Sequence, residues 1–291
     1  MAHASLSLDG ALAERLAATI ERLEALLPAP PEKPDWQSCR AFRWRRLGQR
    51  GHLQAVRHPH RLRLADLRRI DRQKVALDRN VRQFLAGQPC NNALLWGARG
   101  TGKSSLVKAL LNEYADRGLR LIEVDKHDLL DLADIVEPLY DRPERFLLYC
   151  DDLSFEANDP SYKALKAMLD GSISAAPENV LLCATSNRRH LLPEYLRENQ
   201  DARIVEGELH HGEAVEEKIS LSERFGLWLS FHPFSQDDYL DIVGHWLVQL
   251  GGERLDEAAR QEALRWALQR GSRSGRVAWQ FARDWVGQRG L

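Results

Sequence analysis

The chain contains the stretch Gly97-Ala98-Arg99-Gly100-Thr101-Gly102-Lys103-Ser104, which fits the phosphate-binding pattern G-x-x-x-x-G-K-[ST]. The apolar run 93–96 before it is typical of a buried strand. Residues 105–111 after it carry apolar side chains at helical spacing. A strand, a glycine-rich loop and a helix in this order predict a site for the phosphate chain of a nucleotide.

Each residue type in this loop has a physical role in holding phosphates. Glycines let the backbone curl so that successive N–H groups point at the anion, and the helix that follows presents its positive end. Lys103 is expected to reach the β- and γ-phosphates, and the Ser104 hydroxyl to bind Mg²⁺. Ser105 completes the predicted contacts of residues 97–105 with bound ATP. The alternative, a glycine-rich turn without a ligand, is disfavoured by the flanking strand and helix.

Composition limits the class of protein. The 291 residues are 44% hydrophobic and 29% charged, as in an ordinary globular protein. No apolar run approaches the ~20 residues that span a bilayer, and the first ten residues lack the cationic start and apolar core of a signal peptide. The four cysteines show no C-x-x-C pairing. We therefore expect a cytoplasmic protein without a membrane partner.

The net charge is −1, but basic residues crowd the segment 40–82. Such a tract can bind nucleic acid, form a solvated face, or dock onto an acidic surface of a neighbouring subunit. Aromatic residues between the arginines can stack on bases, but we favour packing of Trp36, Phe42 and Trp44 against the main domain. The basic residues are Arg40, Arg43, Arg45, Arg46, Arg50, Arg57, Arg61, Arg63, Arg68, Arg69, Arg72, Lys74, Arg79 and Arg82, opposed by Asp66, Asp71 and Asp78.

A second apolar run, Phe146–Cys150, ends in two acids. Buried parallel strands carry such runs and deliver polar side chains to one edge of the sheet. After a phosphate loop, this pattern predicts Asp151 as the residue that holds Mg²⁺, directly or through a water. Asp152 occupies the place of a base that orients the attacking water, and Glu156 is the alternative. Helix capping would explain both acids without catalysis.

Further strands are expected at 119–124, 180–184 and 227–231, with helices between them. Asn187 follows the strand at 180–184 and is placed to touch the γ-phosphate or the water, unless it serves only in a turn before a helix. Only helices are expected after residue 232, and Trp246, Trp266 and Trp279 would supply their core. An amphipathic helix is predicted over residues 9–27, ended by a proline-rich linker.

This series of motifs resembles the AAA+ ATPases over residues 64–291. Gly97–Ser104 matches Walker A, and Phe146–Asp152 matches Walker B, with Asp-Asp in place of the usual Asp-Glu, as in the initiator and helicase-loader branch. Asn187 matches sensor 1. Three phrases resemble a narrower group, the bacterial ATP-binding family catalogued as domain of unknown function 815; they are residues 92–105, 151–156 and 213–228.

The resemblance implies roles for further residues. Arg224, in Ser-Glu-Arg-Phe, would be the arginine finger that acts on ATP bound by the next subunit. Arg276, in Gly-Arg-Val-Ala, would be sensor 2, with Arg273 as its rival. Ile70 and Asp71 resemble the box that packs on adenine. A surface salt bridge for Arg224, or a solvated position for Arg276, would explain these arginines without catalysis.

The sequence thus predicts a P-loop NTPase of the AAA+ class: a three-layer α/β sandwich with a five-stranded parallel sheet. The expected domains are an N-terminal helical and basic extension (1–63), the nucleotide-binding core (64–232) and a C-terminal α-helical lid (233–291). The resemblance implies an Mg²⁺-dependent ATPase that acts as a homo-oligomer on an unknown protein or nucleic-acid target.

One alternative is an ATP-dependent binding switch, loader- or initiator-like and DNA-associated, with weak hydrolysis. Asp152 and the basic tract motivate it. A small-molecule kinase is disfavoured, because such enzymes have no use for sensor 1 and a finger-like arginine together.

Overall fold

The computed structural model describes residues 10–26, 33–48, 50–156, 159–170, 177–189, 191, 203–205, 208–210 and 221–289. The chain divides into two compact units, residues 1–33 and 34–291. In the first unit, helix α1 spans Gly10–Leu26, which confirms the helix predicted over residues 9–27.

The second unit is built on a seven-stranded sheet. Its strands are β1 (Ala41–Leu47), β2 (Arg50–Ala55), β3 (Ala93–Gly97), β4 (Leu119–Glu123), β5 (Arg145–Cys150), β6 (Val180–Ser186) and β9 (Leu227–Phe231). They lie side by side in the order β2-β1-β4-β5-β6-β3-β9. A separate short hairpin joins β7 (Arg203–Val205) to β8 (Glu208–His210).

The five strands predicted from the sequence are β4, β5, β6, β3 and β9, and all of them pair in parallel. The count of five was nevertheless wrong for the whole sheet, because β1 adds to the free edge of β4 and β2 turns back along β1. Both extra strands come from the segment predicted as an N-terminal extension. The domain limit at residue 63 stays a prediction, although β1 and β2 belong to this sheet.

Strand β1 was not predicted from the sequence, because arginines obscure the two-residue spacing of its buried aromatic side chains. Phe42 and Trp44 are buried on one face of the sheet, in the same cluster as Trp36. The packing favoured for these aromatics is therefore what the structure shows. Arg43 lies between them in sequence and donates to Glu123 at 2.8 Å.

The acidic segment after β4 pairs with the other arginines of β1. Arg45 lies 3.5 Å from Asp125, and Arg46 pairs with Asp128 at 3.6 Å and with Asp131. Part of the basic tract is thus neutralised within the chain. Nucleic-acid binding by the rest of the tract stays a prediction.

Helices cover both faces of the sheet, as expected for a three-layer sandwich. Along β5, Phe146 and Leu148 join one buried cluster while Leu147 and Tyr149 join the other. Helices α2 (Asp71–Leu85) and α3 (Lys103–Tyr114) pack on the second face; α4 (Leu132–Val136) and α5 (Pro160–Asp170) pack on the first.

Residues 236–289 form three helices, α6 (Gln236–Gln249), α7 (Glu257–Gln269) and α8 (Gly275–Arg289). Their inward faces make a third cluster, centred on Tyr239, Ala263 and Phe281. The segment predicted as a lid (233–291) therefore holds three helices with an apolar core of their own; its role as a lid stays a prediction. Within the described part of the chain, no helix is long and apolar enough to cross a membrane.

The buried ring of Phe42 gives a test of the added strands. Phe42 is fully buried, whereas Leu47 on the same strand is 46% exposed. We expect Phe42→Ala to lower the free energy of unfolding by about 3–5 kcal/mol, because it removes a ring from a packed core. Urea denaturation followed by circular dichroism measures the change. Leu47→Ala, the control, should stay within about 0.5 kcal/mol of the wild type; equal losses would contradict the packing described for β1.

Candidate functional site

The glycine-rich loop is fixed by a close approach between β3 and β9. Gly97 has a φ of 129°, and a Cβ added there would lie 2.1 Å from the carbonyl oxygen of Phe231. The N–H of Ala98 donates to that same oxygen at 2.9 Å. Gly102 ends the loop with a φ of 101° and begins helix α3. Glycine is required at both places, since other residues rarely adopt such angles.

Lys103 is buried at the start of α3, with its ammonium group inside the loop. Nζ donates to the carbonyl oxygens of Gly97 at 2.8 Å and Ala98 at 2.7 Å, and to Oδ1 of Asn187 at 3.2 Å. Burial lowers the pKa of Lys103 below its ordinary value, while the carboxylates of Asp152 and Asp151 oppose that shift.

Asp151 follows β5 and faces the loop across the edge of the sheet. Its Oδ1 accepts hydrogen bonds from Ser104 Oγ at 2.7 Å and from Thr185 Oγ1 at 2.5 Å. Burial opposes ionisation of Asp151, but these hydrogen bonds outweigh it and lower the pKa below the ordinary value. The carboxylate is therefore ionised at neutral pH, beside the Ser104 hydroxyl.

Asp152 is the second acid, and its side chain accepts a hydrogen bond from Nδ2 of Asn187. Since Asn187 also accepts from Lys103, one amide joins the acid to the loop lysine. Asp152 lines the cavity above the loop, whereas the wall formed by the described residues does not include Glu156. The structure therefore places Asp152, and not Glu156, in this wall.

Thr185 is a buried residue of this site that the sequence analysis did not single out. It lies two residues before Asn187 on β6, and its hydroxyl contacts both acids: it donates to Asp151 and accepts from the backbone N–H of Asp152 at 2.9 Å. A threonine near the end of an apolar strand carries no motif, so only the strand pairing reveals this role.

The C-terminal helices α6 and α8 form part of the wall of the cavity. The N–H of Gly275 donates to the carbonyl oxygen of Gly100 at 2.9 Å, so the start of α8 contacts the loop directly. Arg276 lines the cavity, and its Cβ lies 3.7 Å from the position that a Cβ on Gly100 would take. Arg273 is exposed and lies outside the wall. The structure thus places Arg276, and not its rival, beside the loop.

The cavity between the sheet edge and the lid has a volume of about 610 Å³, within the ordinary range for small-molecule sites. The loop, Asp151, Asp152 and Arg276 line it, together with the polar side chains of His60, Asp66 and Arg68. Apolar side chains line it as well: Leu62, Leu67, Ile70, Phe234, Ile242, Trp246 and Trp279.

Sequence motifs found only part of this apolar wall. Ile70 lines the cavity, but Asp71 is absent from the wall of described residues and pairs with Lys74 at 2.8 Å. Trp246 and Trp279, expected only as core residues of the lid, also line the cavity. The sequence pattern of an apolar residue on these helices is the same whether its side chain lines a cavity or fills the core.

Arg224 lies away from this wall. Its guanidinium pairs with the carboxylate of Asp170 at the end of α5, and that hydrogen bond raises the pKa of Arg224 above its ordinary value. Within one subunit the arginine therefore faces an acid rather than the cavity. A role for Arg224 at a neighbouring subunit's site stays a prediction.

The residues present fit a magnesium ion that arrives with a nucleotide. Among the described residues, no group of three or more His, Cys, Asp or Glu side chains could hold a metal alone. Mg²⁺ takes one or two carboxylates together with substrate phosphates and waters. Asp151 and Ser104, hydrogen-bonded to each other at 2.7 Å, would supply the protein's share of that set.

Comparison with solved structures relates the fold to known proteins. The Holliday junction branch migration motor RuvB of Thermotoga maritima aligns with a TM-score of 0.50 and 16% sequence identity, over 76% of this chain and 63% of RuvB. The Orc1 protein of Aeropyrum pernix, solved in complex with DNA, aligns with a TM-score of 0.52 and 16% identity, over 77% of this chain and 62% of Orc1. At this identity the likeness shows the fold, which is the AAA+ P-loop fold.

The chain spans less than two thirds of the length of either structural relative. No curated protein matches it. The profile of the family described as "Protein of unknown function (DUF815)" matches residues 37–289, which include the loop, both acids, Asn187 and the lid. The chain belongs to this family, and its fold is the P-loop fold of the AAA+ ATPases.

Proposed function

We propose that this protein binds ATP with Mg²⁺ and hydrolyses it, and that it does so as an oligomer. One observation carries the proposal: the groups that ATP hydrolysis needs converge on a single cavity. Its walls hold an anion-binding loop, a carboxylate and hydroxyl for a cation, an acid for a water, and an arginine from the lid; these are Lys103, Ser104, Asp151, Asp152, Asn187 and Arg276.

The polar and apolar parts of the wall match the phosphates and the base of a nucleotide. The loop and the start of α3 present backbone N–H groups and the ammonium of Lys103 to a triphosphate. The apolar wall around Ile70, Trp246 and Trp279 offers surface for a purine ring. A volume of about 610 Å³ suits a ligand of this size.

Each polar group of the wall would have a separate task. Mg²⁺, when bound, neutralises charge that develops on the phosphates during transfer. Ser104 and Asp151 would hold that ion. Asp152, oriented by Asn187, would accept a hydrogen bond from the attacking water. Arg276 would stabilise charge on the γ-phosphate from the lid, and so couple hydrolysis to lid position.

The proposal that the protein acts as an oligomer is based on Arg224. Phosphoryl transfer gains roughly 10³–10⁵ in rate from an arginine supplied by a partner or in cis, and Arg224 lies outside the wall of its own subunit's cavity. We propose that it completes the site of the adjacent subunit. A lone subunit would then hydrolyse ATP slowly.

The work that hydrolysis drives would be remodelling of a protein or nucleic-acid partner. The motor activity named for RuvB and the DNA bound to Orc1 make a nucleic acid one reasonable target. The weakly hydrolysing binding switch is the alternative, favoured by the shorter reach of aspartate at position 152.

Mixing two inactive variants tests the shared site. Lys103→Ala should lose its own ATP site but keep Arg224, while Arg224→Ala should keep its ATP site but lack the finger. We expect each variant alone to release phosphate slowly, and the mixture to recover a clear fraction of wild-type turnover. The double variant Lys103→Ala/Arg224→Ala, mixed with Arg224→Ala, serves as the control and should restore nothing. A mixture no faster than its parts would refute action in trans.

Asp152 and Glu156 form a matched pair for the base. Asp152→Asn should lower turnover at saturating ATP by roughly 10²–10⁴-fold, because it removes the acceptor for the water's proton, while affinity for a fluorescent ATP analogue stays close to that of the wild type. Glu156→Gln should keep turnover near the wild-type rate. The opposite ranking would move the base to Glu156, and turnover unaffected by either change would favour the switch.

Arg276 and Arg273 separate a lid contact from a solvated arginine. Losing a charged hydrogen bond to the γ-phosphate costs about 1.5–3 kcal/mol. Arg276→Ala should therefore weaken binding of a non-hydrolysable ATP analogue by roughly 10–100-fold, and binding of ADP much less. Arg273→Ala should leave both affinities near the wild type. Isothermal titration calorimetry measures them, and a larger effect of Arg273→Ala would reverse the assignment.

A further inference from the structure

The Thr185 side chain is 1% exposed and lies near the carboxyl end of β6. A buried hydroxyl needs partners, since an unsatisfied polar group is costly. Thr185 finds both of its partners in the two acids: Oγ1 donates to Oδ1 of Asp151 at 2.5 Å and accepts from the N–H of Asp152 at 2.9 Å. One hydroxyl group is thus the donor to Asp151 and the acceptor from Asp152, which are consecutive residues.

For Asp151, the hydroxyl fixes the direction of the carboxylate. Oδ1 accepts from both Ser104 and Thr185. Ser104 is expected to turn to a bound cation, which removes its hydrogen bond to the acid. Thr185 belongs to the sheet and is buried, so it stays as the donor that keeps Asp151 oriented.

For Asp152, the hydroxyl stabilises an unusual backbone. Asp152 has a φ of 52°, in the left-handed region that non-glycine residues seldom occupy. Two bonds to Thr185 hold the turn: its hydroxyl accepts from Asp152, and its carbonyl oxygen accepts from the N–H of Leu153 at 2.7 Å. This turn brings the Asp152 side chain to Asn187.

We infer that Thr185 is a positioning residue whose hydroxyl sets the Mg²⁺-binding carboxylate of Asp151 and the backbone of Asp152 at the same time. The inference rests on the proposed function of this site. It assigns the geometry of both acids to a strand that contributes neither of them. Losing the hydroxyl should therefore weaken cation binding and water orientation together, while contacts of the loop with phosphates remain.

The test compares Thr185→Val, which keeps the shape and removes the hydroxyl, with Thr185→Ser, which keeps the hydroxyl. Affinity for a fluorescent ATP analogue is measured in EDTA and across a Mg²⁺ titration, and turnover is measured at saturating Mg²⁺. Losing a group that hydrogen-bonds to a metal ligand costs roughly 10–100-fold in metal affinity or activity. We expect losses of that size in Thr185→Val for the Mg²⁺ half-saturation and for turnover, unchanged affinity in EDTA, and recovery in Thr185→Ser.

Ser186→Ala is the matched control, because Ser186 is also buried but accepts from the N–H of Arg188 at 3.1 Å. It should change neither the Mg²⁺ titration nor turnover. If Thr185→Val fails to fold by circular dichroism, Thr185→Cys, with similar size and only a weak donor, takes its place.

The outcomes separate this inference from the proposed function. A wild type that binds no ATP analogue would refute the proposed function itself. A wild type that binds and hydrolyses ATP, with a valine variant that matches it, would refute the role of Thr185 alone. Equal loss of affinity in EDTA and in Mg²⁺ would show a general structural defect and would also overturn the inference.

Discussion

A buried ammonium group sets the conditions for the rest of the site. Lys103 is 6% exposed, and its charge is held by two carbonyl oxygens of its own loop and by the amide of Asn187. Removing a charge from water is costly unless other groups compensate. Burial lowers the pKa of Lys103, and the nearby carboxylates of Asp152 and Asp151 oppose that shift because they favour the charged form of the lysine. Such a cluster, open to a cavity, suits a polyanion that brings its own cation.

The sheet brings these groups together. Parallel strands place their carboxyl ends along one edge, and β3, β5 and β6 are adjacent in the order β5-β6-β3. The loop, the acids and the asparagine each follow one of these strands, although they lie up to 90 residues apart in sequence. The lid then touches the loop through Gly275 and Gly100. The loop and the start of α8 are thereby joined by a backbone hydrogen bond.

Much of this could be predicted from the sequence, because the central strands are continuous apolar runs and the loop has a strict pattern. The five parallel strands and the helical lid followed from those signals. The β1–β2 hairpin could not be predicted, because arginines flank the buried Phe42 and Trp44 in the sequence of β1. The acidic partners of those arginines lie about 80 residues away in the chain. Thr185 escaped for a similar reason. The role of the Thr185 hydroxyl is visible only in the structure, where the neighbouring strand β5 places two acids against it.

Direct nucleotide binding tests the central claim that this cavity is an ATP site. Affinity for a fluorescent ATP analogue with Mg²⁺ is measured for the wild type, for Lys103→Ala and for Lys163→Ala, a control that removes an exposed lysine on α5. The account predicts that the wild type and the control bind alike, and that Lys103→Ala binds roughly 100-fold more weakly, the size of a lost charged hydrogen bond. Wild-type protein that binds no nucleotide, or a Lys103 variant that binds as well as the wild type, would contradict it.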